Sequence, residues 1–328
     1  MSSHTIPLSN LLNRTRALAL DRLPNFTTPQ LFGLVYNFGR LGLLDSRDFR
    51  LSINDCLQER AKSLDLVTTS HRNSSLSELL NIHQHSPSLH ANPCVLATSA
   101  DRCFVYKPPG FTVDVAQDFP DDFVGPPVPP STYALGGKSL KTWLISQFPQ
   151  TPIVGDRYHN HGFLHRLDTQ TSGVLMVALN YSSYYTQRIR FSLNEVPKEY
   201  TCLVHGLFPA GIVRFTDRLV TDSVNGTSFV SVAAKNCGKG KSAITEAECV
   251  QHVGSDYSLL RVKIGTGRTH QIRVHLAHAG FPIVGDGKYG RHKDNCRLFL
   301  HASSLDGVEC SLSQDLEKSM IGLGVGRY

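Results

Sequence analysis

Hydrophobic positions along this chain change period several times. Leu260, Val262 and Ile264 alternate with Arg261 and Lys263, the two-residue repeat of a strand with one buried face. Val174-Leu175-Met176-Val177-Ala178-Leu179 is instead an unbroken apolar run behind a Thr/Ser/Gly turn, as in a strand covered on both faces. Further strand patterns are predicted at 103–106, 200–204, 212–220, 228–233, 243–250 and 257–264. Helical spacing links Leu140, Trp143, Leu144 and Phe148 behind Ser139, and Tyr181, Tyr184, Tyr185 and Ile189 behind Asn180, with Ser139 and Asn180 in capping positions. Thr269 is placed to cap a further helix that turns Ile272, His275, Leu276 and Ala279 to the core and stops at Gly280. His270, Arg273 and Ala277 share another of its faces. Many strands with a few interspersed helices predict an α+β fold with a mostly antiparallel sheet.

The first part of the chain reads differently. Residues 31–38 and 53–61 suggest two helices joined through 39–48, the first started by Thr28-Pro29. Residues 69–93, rich in Ser, His and Asn, read as a linker. This divides the chain into a helical segment with linker at 1–95 and a larger domain at 96–328. Within the latter, 111–137 carries many Pro, Asp and Gly and reads as an irregular excursion.

Composition narrows the class. An apolar content of 41% over 328 residues supports a packed core. Lys plus Arg number 33 against 27 Asp plus Glu, a net +6. Eight of these basic residues (261, 263, 268, 273, 288, 291, 293 and 297) fall in one stretch that holds only Asp286 and Asp294 as acids, a footprint that points to an anionic partner. The eight cysteines form no C-x-x-C pair, as expected of reduced thiols in an intracellular protein. No apolar run approaches a membrane span, and no secretory signal is expected. Arg14 and Arg16, with no acid before Asp21, are compatible with an organelle transit peptide, so cytoplasm and organelle both stay open.

The chemistry is concentrated in His165-Arg166-Leu167-Asp168-Thr169-Gln170-Thr171-Ser172-Gly173. A carboxylate entering a buried strand is costly unless a cation pairs with it. Arg166 and an Arg from elsewhere in the fold are the two choices. The second is offered by Gly265-Thr266-Gly267-Arg268-Thr269-His270-Gln271-Ile272-Arg273, followed by Pro282-Ile283-Val284-Gly285-Asp286 and Tyr289-Gly290. Together with Tyr106-Lys107-Pro108-Pro109-Gly110, Lys198-Glu199-Tyr200 running into Val204-His205-Gly206, and Leu298-Phe299-Leu300-His301-Ala302, these blocks resemble the RluA-type RNA pseudouridine synthases in order and spacing over roughly residues 100 to 310.

That resemblance implies a long mixed sheet with a central cleft, and isomerisation of uridine to pseudouridine in tRNA or rRNA. The N1–C1′ bond breaks, the base rotates and C1′ bonds to C5, which calls for no metal or organic cofactor. It assigns the ribose-facing carboxylate to Asp168, as nucleophile or as base. It places Arg273 as the cation beside it and Tyr200 as the ring that holds the rotating uracil. Because such a base must leave its stack, Arg166 is the candidate to fill the vacancy. Arg268, Lys107 and Lys288 are candidates for phosphate contact, with Arg291 a looser one. The expected partner is RNA, with no membrane, and the protein is expected to be a monomer. Residues 1–95 do not resemble the S4 module that precedes many such enzymes; they are vaguely similar to one unit of a helical RNA-binding repeat, which implies a placement or targeting role.

Other readings compete. An RNA-binding or RNA-chaperone protein could keep the cleft without turnover. His159, His161 and His165 have spacing suggestive of a metal-dependent hydrolase, although no acidic cluster completes a ligand set. The segment 265–269 lacks the pattern of a phosphate loop. Pro-Ile-Val-Gly-Asp occurs at both 152–156 and 282–286, which reads as coincidence because nothing around the two copies is alike.

Overall fold

The computed structural model describes residues 19, 22–27, 30, 31, 34, 47–69, 92–113, 138–224, 227–234, 239–290, 294 and 296–322. Its main elements in chain order are α1 (Arg47–Thr69), β1 (Cys94–Thr98), β2 (Arg102–Lys107), β3 (Phe111–Thr112), β4 (Lys138–Ser139), α2 (Leu140–Gln147), β5 (Ser172–Ala178) and α3 (Tyr181–Ser192). They continue with β6 (Lys198–His205), β7 (Ile212–Phe215), β8 (Leu219–Val224), β9 (Thr227–Val232), β10 (Thr245–Val253), β11 (Tyr257–Ile264), α4 (Gln271–His278), β12 (Leu300–Leu305), β13 (Val308–Glu309) and α5 (Gln314–Gly322). One sheet runs β1-β2-β5-β12-β6-β11-β10-β7, with β13 attached to β12. Only β5 and β12 pair in parallel; every other pairing in this sheet is antiparallel. The fold is therefore α+β with a mixed, mostly antiparallel sheet.

The period of each strand follows its depth. All seven residues of β5 are buried, and β2 and β12 flank it in the sheet. In β11 the buried set includes Leu260, Val262 and Ile264, while Arg261 and Lys263 face solvent. Full burial of such a side chain contributes roughly 1.5–3 kcal/mol. The predicted strand at 212–220 is two strands in two sheets. β7 pairs with β10, and the chain then leaves the sheet to form the β8–β9 hairpin. Leu219 drives the departure: with Val230, Ala243 and Val274 it forms a second, smaller core.

Helix α1 extends the predicted 53–61 segment at both ends. Ile53, Leu57 and Ala61 recur every four residues and are fully buried in the same core as β5 and α3. Gln58 donates to Thr186 Oγ1 at 2.7 Å and accepts from the Ser182 hydroxyl, so α1 lies directly on α3. The Thr28-Pro29 start, the basic N-terminus with Arg14 and Arg16, Arg291, and most of 31–38, of the linker and of the 111–137 excursion lie outside the described residues. Asn180 caps α3 by accepting from Ser183 N at 2.8 Å; Ser139 stands at the N-cap of α2 without a side-chain capping bond. No helix among the described residues is long and apolar enough to cross a membrane.

Candidate active site

Sheet register brings the distant motifs together. Gly173 in β5 pairs with Ala302 in β12, and Ala302 pairs with Tyr200 in β6. The turn before β5, closed by Thr171 N donating to Asp168 O at 3.0 Å, therefore opens onto the strand that carries Tyr200. That turn is held from below by the Lys107–Gly110 block. Gly110 N donates to Thr169 O at 2.7 Å, and Lys107 Nζ donates to the carbonyls of Thr169, Phe111 and Pro108 at 3.0, 2.9 and 3.0 Å. Arg297 ties the same turn to α5 through Ser172 Oγ, Ser313 Oγ and Asp315.

Arg273 enters from the opposite side, on the first turn of α4. Its Nη1 donates to Asp168 Oδ2 at 3.1 Å, across 105 residues of sequence. The rest of its fork binds Asp286, Nε and Nη2 each donating at 2.8 Å. The Asp286 side chain is fully buried and also accepts from the amides of Lys288 and Tyr289. Burial is the largest influence and opposes ionisation of Asp286, but the hydrogen bonds and charge of Arg273, with the amides of Tyr289 and Lys288, together outweigh it and hold its pKa below the usual carboxylate value. Of the two cations considered for Asp168, the fold selects Arg273. The Arg166 side chain is exposed, with no hydrogen-bond or ion-pair partner of its own among the described residues.

The start of α4 differs from the expectation. His270, not Thr269, occupies the N-cap, in the left-handed region at φ 53°. Such a backbone costs on the order of 1–3 kcal/mol. Two contacts hold it: His270 Nδ1 lies 2.7 Å from Tyr289 Oη, and Gln271 locks the preceding loop. Gln271 Oε1 accepts from Thr266 Oγ1 at 2.8 Å and Arg268 N at 3.0 Å, while its amide donates to Ile244 O and Thr245 Oγ1. His270 Nε2 is thereby set 3.8 Å from Asp168 Oδ2. Burial, partly offset by Asp168, lowers the His270 pKa, so the ring is neutral at pH 7. Tyr200 is buried, and burial reinforced by the Asp168 charge pushes its phenol pKa up.

Several expectations need correcting. Lys107 cannot reach an RNA phosphate: it is fully buried and its ammonium is engaged by three carbonyls. Burial pushes its pKa down to about 7, with Asp168 pulling the other way. The basic stretch is also more charge-compensated than its count implies. Arg261 and Lys263 lie against Glu199, Arg273 against Asp286 and Asp168, and Arg297 against Asp315. Arg268, half-buried with Nε donating to Ser242 O at 3.0 Å, and exposed Lys288 remain at the rim. The three histidines diverge. His159 lies between Asp156 and Tyr185, His161 against Val154 O, and His165 accepts from Met176 N and stacks on Phe191. Among the described residues no cluster of His, Cys, Asp and Glu could hold a metal ion. The two Pro-Ile-Val-Gly-Asp copies adopt different structures, a helical turn at Pro152–Gly155 and a turn at 282–286 in which Ile283 bridges to Val204.

Asp286, His270 and Gln271 are the residues whose roles sequence reasoning missed. All three were in view within the blocks. Signals existed in the acid that follows Gly285 and in the polar run opening an otherwise apolar helix.

A family model described as RNA pseudouridylate synthase matches residues 103–278. The ribosomal large subunit pseudouridine synthase D of Borreliella burgdorferi is 40% identical over 151 residues, which cover 44% of this chain and 44% of that protein. The chain thus spans less than half the length of that relative. An uncharacterized RNA pseudouridine synthase of Zymomonas mobilis is 32% identical over 220 residues, covering 65% of this chain and 86% of its own. Among solved structures, human RNA pseudouridylate synthase domain containing 1 superposes with a TM-score of 0.50 at 27% identity, over 65% of this chain and 78% of that one. The family model takes in β2 through α4, the span that carries Asp168, Tyr200 and Arg273, and the chain belongs to the RNA pseudouridylate synthase family.

Proposed function

We propose that this protein isomerises uridine to pseudouridine in RNA, with Asp168 as the carboxylate that acts on the ribose. The observation that carries the reading is the 3.1 Å contact between Arg273 Nη1 and Asp168 Oδ2, in a guanidinium whose Nε and Nη2 are held by Asp286. The side chain of Asp168 keeps 21% of its exposure, so it is held by a cation and still open to a substrate. A carboxylate placed this way can attack C1′ or take a ribose proton once the N1–C1′ bond weakens. Burial holds the Tyr200 phenol in its protonated form, so it meets uracil as an uncharged ring and hydrogen-bond donor. Arg166, exposed beside the turn, is suited to occupy the place of the everted base. Arg268 and Lys288 are the rim cations that phosphates would meet. Ribosomal RNA is the favoured substrate class, on the name of the Borreliella relative.

The test is tritium release from RNA containing 5-tritiated uridine. Wild-type protein releases tritium; Asp168→Ala and Asp168→Asn release none while binding RNA as before. Release by Asp168→Ala would overturn the assignment. Mapping pseudouridine transcriptome-wide in cells with and without the gene then identifies the RNA and the position.

A further inference from the structure

An exposed apolar side chain is ordinary on a protein surface. Phe229 is set apart by its position. It lies on the β8–β9 hairpin, 46% exposed, and alternates with Val230, whose side chain is buried against α4 through Val274. The hairpin is therefore anchored by one face and shows Phe229 on the other. Lys288 Nζ lies 5.1 Å from the centre of the Phe229 ring and 5.8 Å from that of Tyr289. Arg273 Cζ lies 5.1 Å from the centre of the Tyr289 ring, and Arg273 holds Asp168. A continuous line of rings and cations thus leads from the hairpin to the candidate catalytic carboxylate.

We propose that Phe229 and Lys288 form a subsite for an unpaired nucleotide of the RNA, the base stacking on Phe229 and its phosphate meeting Lys288. The proposal rests on the reading of the Asp168 site as a uridine isomerase and adds where a second nucleotide is gripped. An accessible flat ring takes any base, because every base has a π-face, and an adjacent cation takes the phosphate. A duplex keeps its bases stacked on one another, so the subsite selects single-stranded RNA around the target. Asp222, the cross-strand partner of Phe229, repels a phosphate and can accept a base N–H, which favours the base over the backbone at the ring.

The probe is a fluorescein-labelled RNA hairpin with an all-uridine loop, titrated by anisotropy in an Asp168→Ala background so that no turnover intervenes. Phe229→Ala is expected to weaken binding about tenfold with an unchanged salt slope. Phe229→Trp restores it, and Lys288→Gln lowers the slope of log K against log salt by about 1. The same hairpin with abasic sites through the loop binds Phe229→Ala and the Phe229 form equally. Unchanged affinity in Phe229→Ala, or equal loss in Phe229→Trp, would overturn the subsite. Absence of tritium release by wild-type protein from total cellular RNA would instead remove the isomerase reading, so the two failures are distinct.

Discussion

Arg273 is shared by two carboxylates on unequal terms: Asp286 takes two of its donors at 2.8 Å, and Asp168 takes one at 3.1 Å. Asp286 is the buried anchor and Asp168 the accessible end. Asp286→Asn should therefore act on Asp168 at one remove. Leaving the guanidinium half-paired in a buried place is expected to cost roughly 3 kcal/mol, read from urea unfolding. Misplacement of Arg273 is expected to slow single-turnover tritium release by as much as a hundredfold. Arg273→Lys should fall in the same direction, since an ammonium cannot bridge both acids. Wild-type turnover in Asp286→Asn would show that Asp168 holds Arg273 unaided.

What the sequence could say about this arrangement depended on whether the signal was local. β5 and β11 were legible because continuous burial and two-residue alternation are written in neighbouring positions. That Asp168 needs a cation was legible because a carboxylate at the mouth of a buried strand requires one; that the cation is Arg273 and not Arg166 came from the resemblance, since both lay open on charge alone. Asp286 was not, since an acid between two glycines reads as an ordinary turn residue until Arg273 folds onto it. Lys107 beside two prolines likewise reads as a surface charge; only the return of the Asp168 turn closes three carbonyls around it. A count of basic residues carries no record of the acids that the sheet brings alongside them, as Glu199 is brought beside Arg261 and Lys263. The break between β7 and β8 lies in one unbroken pattern, because periodicity does not tell which sheet a strand joins.

Lys107 predicts a pH dependence of stability. Its folded pKa is pushed down to about 7 by burial, from 10.5. Between these values the unfolded chain binds the proton and the folded one does not, so this residue's contribution to stability rises with pH from about 7 towards 10.5 and is lost progressively as pH falls from 10.5 to 7. The slope approaches about 1.4 kcal/mol per pH unit at most. Lys107→Met should be less stable throughout, because the carbonyls of Pro108, Phe111 and Thr169 lose their donor, and should lack this slope. Unfolding free energies from pH 7 to 10 for both proteins make the comparison. A constant difference across that range would show that the three carbonyls keep the ammonium charged.

Two histidines, His301 buried and His165 half-buried, govern the acid side. Burial lowers the pKa of His165 to about 3 and of His301 to about 4, from 6.5. Both rings are used as neutral groups: His165 Nε2 accepts from Met176 N, and His301 lies between Ser172 Oγ and Cys310 O. As pH falls from 6.5 towards 4 the unfolded chain takes up both protons first, so stability drops by up to about 2.7 kcal/mol per unit. His301→Gln, which keeps a donor and an acceptor, should remove about half of that slope. Equal slopes in the two proteins would place the acid lability elsewhere.

Gly173 joins the Asp168 turn to β12, and its replacement gives a sharp steric test. Its φ of +123° is a region that side chains avoid, and a Cβ there would collide with the backbone O, N and Cα of Ala302. Gly173→Ala should therefore separate β5 from β12, the one parallel pairing in the sheet, and cost about 3 kcal/mol or more in urea unfolding. Gly155→Ala is the control: nothing lies within 4 Å of its added Cβ, and the change should stay within about 0.5 kcal/mol. Because the clash is with Ala302 main-chain atoms, adding Ala302→Gly to Gly173→Ala should not restore stability. Recovery in that double variant would mean the two strands are kept apart by the Ala302 side chain, and that the Asp168 turn can approach β12 without a glycine.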